Sequence, residues 1–176
     1  MKKLRGLNPK NFCGADIYNG IMIRYVKASP AYLSQLEDSV VIDFNYYRVD
    51  NASTPRLNED IWEEIEQMAF FKYGARPHWA KNRNLGFLGV QSNYPNFNKF
   101  IVEKKQLEPQ GIFSSEWSDQ ILLGNEATDK GNECALEGQC ICSEDKHCSP
   151  STGYLCKEGL VYKEARVSRY SPSSIV

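Results

Sequence analysis

Five of the six cysteines in this 176-residue chain, Cys134, Cys140, Cys142, Cys148 and Cys156, crowd between positions 134 and 156, while Cys13 stands alone near the start. Gly and Ser surround them and no hydrophobic periodicity survives there. Such a segment cannot order itself on buried apolar area and needs covalent staples. Zinc is the competing use, through Cys140-Ile141-Cys142 with His147-Cys148, but Cys-x-Cys lacks the two-to-four-residue gap of structural zinc motifs. Disulfides are therefore expected and no metal site is assigned. Six cysteines admit about fifteen connectivities, so no pairing is chosen. The chain reads as residues 1–124, a packed domain, followed by 125–176, an irregular cysteine-rich tail.

Disulfides imply an oxidising compartment, and Asn51-Ala52-Ser53 adds a glycosylation sequon, a pattern common by chance. The start, Met1-Lys2-Lys3-Leu4-Arg5, carries positive charge with no apolar run behind it, so no signal peptide is read. Together these features place the expected true N-terminus elsewhere. The net charge of -1 argues against a nucleic-acid groove or a polybasic membrane patch. No stretch approaches the roughly 20 apolar residues of a transmembrane segment. A glycine-rich phosphate loop, a nucleophile-elbow serine and a histidine-rich cluster are all missing from the sequence.

Alternation predicts strands over 17–28 and 39–49. In the first, Ile17, Ile21, Ile23 and Tyr25 oppose Tyr18, Met22, Arg24 and Val26; in the second, Val40, Ile42, Phe44 and Tyr46 oppose Val41, Asp43, Asn45 and Tyr47. Polar residues on both faces fit an antiparallel sheet with one side partly open. A helix is predicted over 57–72, with Ile61, Ile65, Met68 and Ala69 at helical spacing and Trp62 beside them. Its acidic first half and Lys72 in the last turn match the macrodipole, and Gly74 fits the stop. Glu63, Glu64 and Glu66 read as a solvated helix face rather than a catalytic pair. A second helix is predicted over 96–107, burying Phe97, Phe100, Ile101, Lys104 and Leu107, and ended by Pro109-Gln110-Gly111. The class is α+β: a partial antiparallel-sheet domain with flanking helices. A sheet this small needs further strands or a covering partner.

Three residues could carry chemistry. His78 and Lys81 lie in Arg76-Pro77-His78-Trp79-Ala80-Lys81-Asn82, where an imidazole, a large ring and an amine could wall a polar ligand beside a flat cofactor. The plainer reading is a hydrogen-bonded loop histidine and a solvated lysine. Arg24 sits mid-strand and must find acceptors, either as an edge-strand arginine reaching water or as a fork of donors for a polyhydroxylated ligand.

These stretches resemble a known family. Asp16-Ile17-Tyr18-Asn19-Gly20-Ile21, Arg24-Tyr25-Val26, Ile65-Glu66-Gln67-Met68-Ala69, Pro77 through Asn84, Phe113-Ser114-Ser115-Glu116-Trp117, Cys140-Ile141-Cys142-Ser143-Glu144-Asp145 and Val161 through Val167 together resemble the C-terminal portion of plant L-gulono-1,4-lactone oxidase-like proteins. That group lies within the sugar-lactone oxidases that include D-arabinono-1,4-lactone oxidase. The resemblance implies an FAD-binding domain followed by an α+β cap that covers the flavin. This chain would be the later part of the cap plus a plant-type tail, beginning at what looks like an internal methionine, with the FAD-binding domain and the earlier cap strands absent.

By the same resemblance the complete enzyme oxidises a sugar lactone, in ascorbate-type biosynthesis, and passes the electrons to oxygen. Lys81 and Arg24 would face the flavin–substrate junction as catalytic residues, and His78 would help shape its wall. No cofactor-binding residue is assigned here. Met22 departs from the pattern: other branches carry a glutamate at this position, and a thioether can neither take a proton nor anchor a hydroxyl strongly. The resemblance further implies a secretory or membrane-associated full-length protein. The expectations are a cap domain inactive alone for want of a flavin, or alternatively a non-catalytic remnant acting as a disulfide-stapled extracellular binding module. A zinc-binding interaction domain is a distant third.

Overall fold

A computed structural model describes residues 2–7, 18–45, 51, 54–80, 84–124 and 131–172. Its elements in order are helix α1 (Lys2–Leu7), strands β1 (Tyr18–Val26) and β2 (Ser39–Asn45), and helices α2 (Glu59–Gln67), α3 (Phe97–Leu107) and α4 (Glu116–Leu123). Strands β3 (Tyr154–Glu158) and β4 (Arg166–Tyr170) follow. The class is α+β, with two two-stranded sheets, β1–β2 and β3–β4, and a cysteine-rich C-terminal region carrying disulfides. The predicted strands and helices lie where alternation and helical spacing put them; Ile17 and residues 46–49 fall outside the described residues.

Contacts divide the chain into two compact units. The first comprises Met1–Ile21, Phe44–Gly86 and Asp129–Val176, and the second Met22–Asp43 and Phe87–Thr128.

In the first unit, α2 is the organising element. Ile61, Trp62 and Ile65 pack with Leu4 of α1 and against Val161, forming the apolar centre. The helix runs on into a π-helical turn, Met68–Lys72, and Gly74 closes it at φ 62°, a left-handed position that glycine takes without Cβ strain. The expected solvated glutamate face does not exist here: Glu59, Glu63 and Glu64 are buried, and only Glu66 is partly open. The cause is the tail, which covers that face and supplies backbone donors to it.

The tail itself is more regular than its composition predicts. β3 and β4 pair antiparallel, with Tyr154 opposite Tyr170, Cys156 opposite Ser168 and Glu158 opposite Arg166. Val167 and Ser168 are both buried, and successive strand residues point to opposite faces, so β4 is covered on both sides. Alternation is invisible under such conditions.

The second unit buries Phe87, Val90, Tyr94, Phe97 and Ile121, with the Trp117 ring edge-on to Phe87 at 5.7 Å. α4 starts on a reciprocal cap, in which Ser115 and Ser118 each accept the other's backbone N–H through their hydroxyls. α3 is less buried than its spacing predicts. Only Phe97 of the expected row is buried, and Leu107 is 83% exposed. The β1–β2 pair is barer still: Met22, Ile23 and Tyr25 of β1 and Val40 and Ile42 of β2 are all exposed.

Candidate functional site

Arg24 lies in the second unit and His78 in the first, and Lys81 lies outside the described residues. Arg24 projects from β1, and its Nη2 reaches Asp43 Oδ2 on β2 at 3.6 Å. About half of the arginine side chain remains open to solvent, so this is a loose surface pair that leaves the guanidinium able to reach a ligand. Met22, two residues earlier, is likewise exposed.

His78 is exposed at the end of the segment that follows α2. Its Nδ1 accepts the backbone N–H of Ala80 at 3.1 Å, so the neutral ring carries its proton on Nε2. That bond orients the imidazole locally. Pro77 beside it is buried and Trp79 is half-buried, so the loop is anchored on both sides of the ring.

The tail carries the expected disulfides. Cys134 pairs with Cys140 and Cys142 with Cys156, while Cys148 is a buried free thiol. Cys13 lies outside the described residues. His147 Nδ1 accepts the Ser143 N–H at 3.2 Å.

Sequence reasoning missed a set of heavily bonded side chains on and beside α2. Glu64, fully buried, accepts three successive backbone N–H groups, from Leu160 at 2.7 Å, Val161 at 2.6 Å and Tyr162 at 2.7 Å. Gln67 acts as a strand edge, accepting from Arg166 N at 3.0 Å and donating to Arg166 O at 2.8 Å. Asp60 takes the Arg169 Nε–H at 2.7 Å, and Arg56 bonds both Glu59 and the carbonyl of Leu136. Helical spacing marks them: positions 60, 64 and 67 share one face of α2. Only the identity of what covers that face was hidden.

A shallow cavity of about 440 Å³ is lined by Cys156, Lys157, Glu158, Arg166, Arg169, Tyr170 and Ser171. It contains none of the three predicted site residues. Its open, charged lining on a short hairpin does not fit the isoalloxazine or pyrophosphate of a flavin, which call for an enclosed apolar slot and converging backbone N–H groups. Among the described residues no helix is long and apolar enough to cross a membrane, so membrane association finds no support in a spanning segment.

A family model described as D-arabinono-1,4-lactone oxidase matches residues 9–121, and one described as L-gulonolactone oxidase 2-like, C-terminal domain, matches residues 131–170. The chain is 62% identical to L-gulonolactone oxidase 3 of Arabidopsis thaliana over 177 residues, covering 100% of this chain and 30% of that protein. It is 52% identical to L-gulonolactone oxidase 5 of the same plant, covering 98% of this chain and 29% of that protein. A probable truncated L-gulonolactone oxidase 7, mitochondrial, also from Arabidopsis thaliana, is 52% identical over 95% of this chain and 67% of its own length. The chain thus spans about a third of the first two relatives. No solved structure matches it.

Proposed function

Because the chain belongs to the D-arabinono-1,4-lactone oxidase family, we propose that it is the C-terminal, substrate-covering part of an FAD-dependent aldonolactone oxidase. Its substrate in the complete enzyme is L-gulono-1,4-lactone or D-arabinono-1,4-lactone, and the product feeds ascorbate-type biosynthesis. The observation that carries this reading is the family match over residues 9–121, the stretch that contains Arg24, His78 and Lys81. The exposed apolar side chains of β1 and β2 support it, since a two-stranded sheet with both faces wet is a surface suited to further strands or a second domain.

The flavin, held by a domain outside this chain, supplies the hydride acceptor of the complete enzyme. Residues of this chain bind and orient. Arg24 offers a planar fork of donors to lactone oxygens, His78 presents Nε2–H to a hydroxyl, and Lys81 places a positive charge beside developing negative charge. Met22 takes no proton, so substrate orientation falls on these three. Alone, these residues are proposed to be inactive, because they correspond to about 30% of L-gulonolactone oxidase 3 and the flavin-binding part implied by the family lies outside that stretch.

The test is a chimera in which these residues replace the corresponding 30% of L-gulonolactone oxidase 3. Peroxide production on either lactone is the expected result, with none from the isolated chain supplied with FAD. An inactive but folded, flavin-loaded chimera would overturn the substrate-covering role, and peroxide from the isolated chain would overturn its dependence on a second domain. A second reading, the non-catalytic extracellular binding module, is favoured by the two disulfides and the exposed Asn51. It expects that inactive chimera together with a chain secreted with its disulfides formed.

A further inference from the structure

The sulfur atoms of Cys142, Cys148 and Cys156 all lie within 4.8 Å of one another, and all three residues are buried. Two of them share a disulfide; the third is a thiol. A second observation falls on the same spot. Ser168, directly across the β3–β4 ladder from Cys156, is 1% exposed, and its Oγ meets no hydrogen-bond partner other than the Cys148 sulfur. That hydroxyl interacts with the Cys148 sulfur so as to favour the thiolate. A thiol, a disulfide within reach and an uncommitted donor beside the thiol are the parts of a thiol–disulfide exchange site.

We propose that Cys148 and the Cys142–Cys156 disulfide form a three-sulfur exchange set, in which Cys148 displaces either partner and the staple moves within the tail. The step balances without an outside oxidant. Cys148 loses its proton to water and its thiolate attacks one sulfur of the bond. A new S–S bond forms, the old one breaks, and the electron pair leaves on the displaced sulfur, which takes up a proton. Attack on Cys142 frees Cys156, and attack on Cys156 frees Cys142. One disulfide and one thiol are present before and after. Cys134–Cys140, grouped with His147 instead, stays outside the set.

The surroundings set the rate. Burial pushes the Cys148 thiol up to about 11; Ser168 opposes that, while Glu63 and Glu59 of α2 and Asp145 before the thiol add to it. Asp145 also accepts the Cys156 N–H at 2.9 Å, and Glu59 is paired with Arg56. At neutral pH only on the order of one thiol in ten thousand is ionised. The pairing is therefore held kinetically, first by burial of the thiol and to a smaller extent by the neighbouring acids Glu63, Asp145 and Glu59.

The experiment uses the full chain, oxidised and free of reductant, incubated at pH 7, 8 and 9. It is then quenched in acid, labelled with N-ethylmaleimide and mapped by mass spectrometry after trypsin and chymotrypsin. Cleavage after Lys146 and around Tyr154 and Leu155 separates the three cysteines. The label is expected to migrate from Cys148 to Cys142 and Cys156, at a rate rising about tenfold per pH unit and independent of protein concentration. Ser168→Ala is expected to slow migration at least about threefold, and Cys148→Ser to abolish it. Label fixed on Cys148 at every pH, Cys148 recovered in a disulfide with Cys13, or an unchanged rate in Ser168→Ala would overturn the proposal. Should Cys148→Ser fail to fold, the wild-type pH series and Ser168→Ala decide the matter.

Discussion

The α2–tail body and the β1–β2 strand pair invert the usual burial pattern in opposite senses. In the body, charged and amide side chains are buried, yet Glu64 and Gln67 meet backbone groups at hydrogen-bond distance. In the strand pair, apolar side chains such as Ile23, Tyr25 and Ile42 face water. A buried polar group is stable only with partners, so the first arrangement is finished structure. Exposed apolar area on both faces of a sheet does nothing for a chain by itself, so the second is a surface with work to do elsewhere. Buried carboxylates are thus no evidence of catalysis here, whereas a half-exposed arginine among wet apolar residues is the better functional candidate.

The largest test of this contrast is Glu64→Ala. It leaves the backbone N–H groups of Leu160, Val161 and Tyr162 without their acceptor, and bonds to a charged group are worth about 1.5–3 kcal/mol each. A loss of at least about 3 kcal/mol in urea unfolding is expected, with the β3–β4 hairpin losing amide protection first. A loss under about 1 kcal/mol would mean that water replaces the carboxylate and that this face is the solvated one the sequence predicts. Gly159→Ala comes next. A Cβ there would collide with the Tyr162 carbonyl oxygen and stand 2.9 Å from Glu64 Cδ, so either the turn or the carboxylate must shift. Overpacking of this kind costs about 1–3 kcal/mol, and a neutral thermal melt would show the turn to be pliable.

What the sequence disclosed differs between the two regions for the same reason. β1, β2, α2 and α3 are legible because each has one environment per face, so alternation or a 3.6-residue period survives in the residue order. β4, Arg166-Val167-Ser168-Arg169-Tyr170, is covered on both sides. Its Arg166 backbone N–H and Arg169 Nε are met by Gln67 and Asp60 from about a hundred positions earlier, a partnership that no local pattern encodes. The glutamates of α2 fail for the complementary reason: period marks their face, but only tertiary structure says that a turn of backbone donors covers it. Disulfides were foreseeable from cysteine density, and their connectivity was not. At the candidate site, Arg24 was legible as an arginine in need of acceptors, and Asp43 answers that need only at 3.6 Å. His78 and Lys81 were singled out by residue type, an imidazole and an amine close together on one loop, and the resemblance gave them a role.

The second unit contains a surface counterpart of Glu64. Glu108, just past α3, accepts from Lys104 Nζ at 2.9 Å and from the Phe113 N–H at 2.6 Å. These bonds, Lys104 first, hold its carboxyl below the ordinary 4.5 against a smaller opposing effect of burial. The sign follows from the lowered value: the folded state binds this proton less readily than the unfolded chain. The stabilisation is therefore fully present above about pH 4.5 and is lost as the pH falls through the folded value. Phe113 amide protection, followed by hydrogen exchange, should decline in that acidic window, and Glu108→Gln should flatten the decline. Unchanged protection down to full protonation would show that the neutral carboxyl still holds the 109–114 turn.

The smallest expected change in stability is the one with the most to say about function. Arg24→Ala removes a loose, half-exposed pair with Asp43, and such pairs contribute about 0–1 kcal/mol. The isolated chain should unfold within about 0.5 kcal/mol of wild type, while the lactone-oxidising chimera falls roughly a hundredfold in kcat/KM, the scale on which one lost donor to developing charge is felt. Arg24→Lys, which keeps the charge but not the planar fork, should restore only part of that loss. The two readouts must separate for the contrast between the regions to stand. If Arg24→Ala costs as much stability as Glu64→Ala, the arginine is a strut of the sheet, and β1 belongs with the finished part of the molecule.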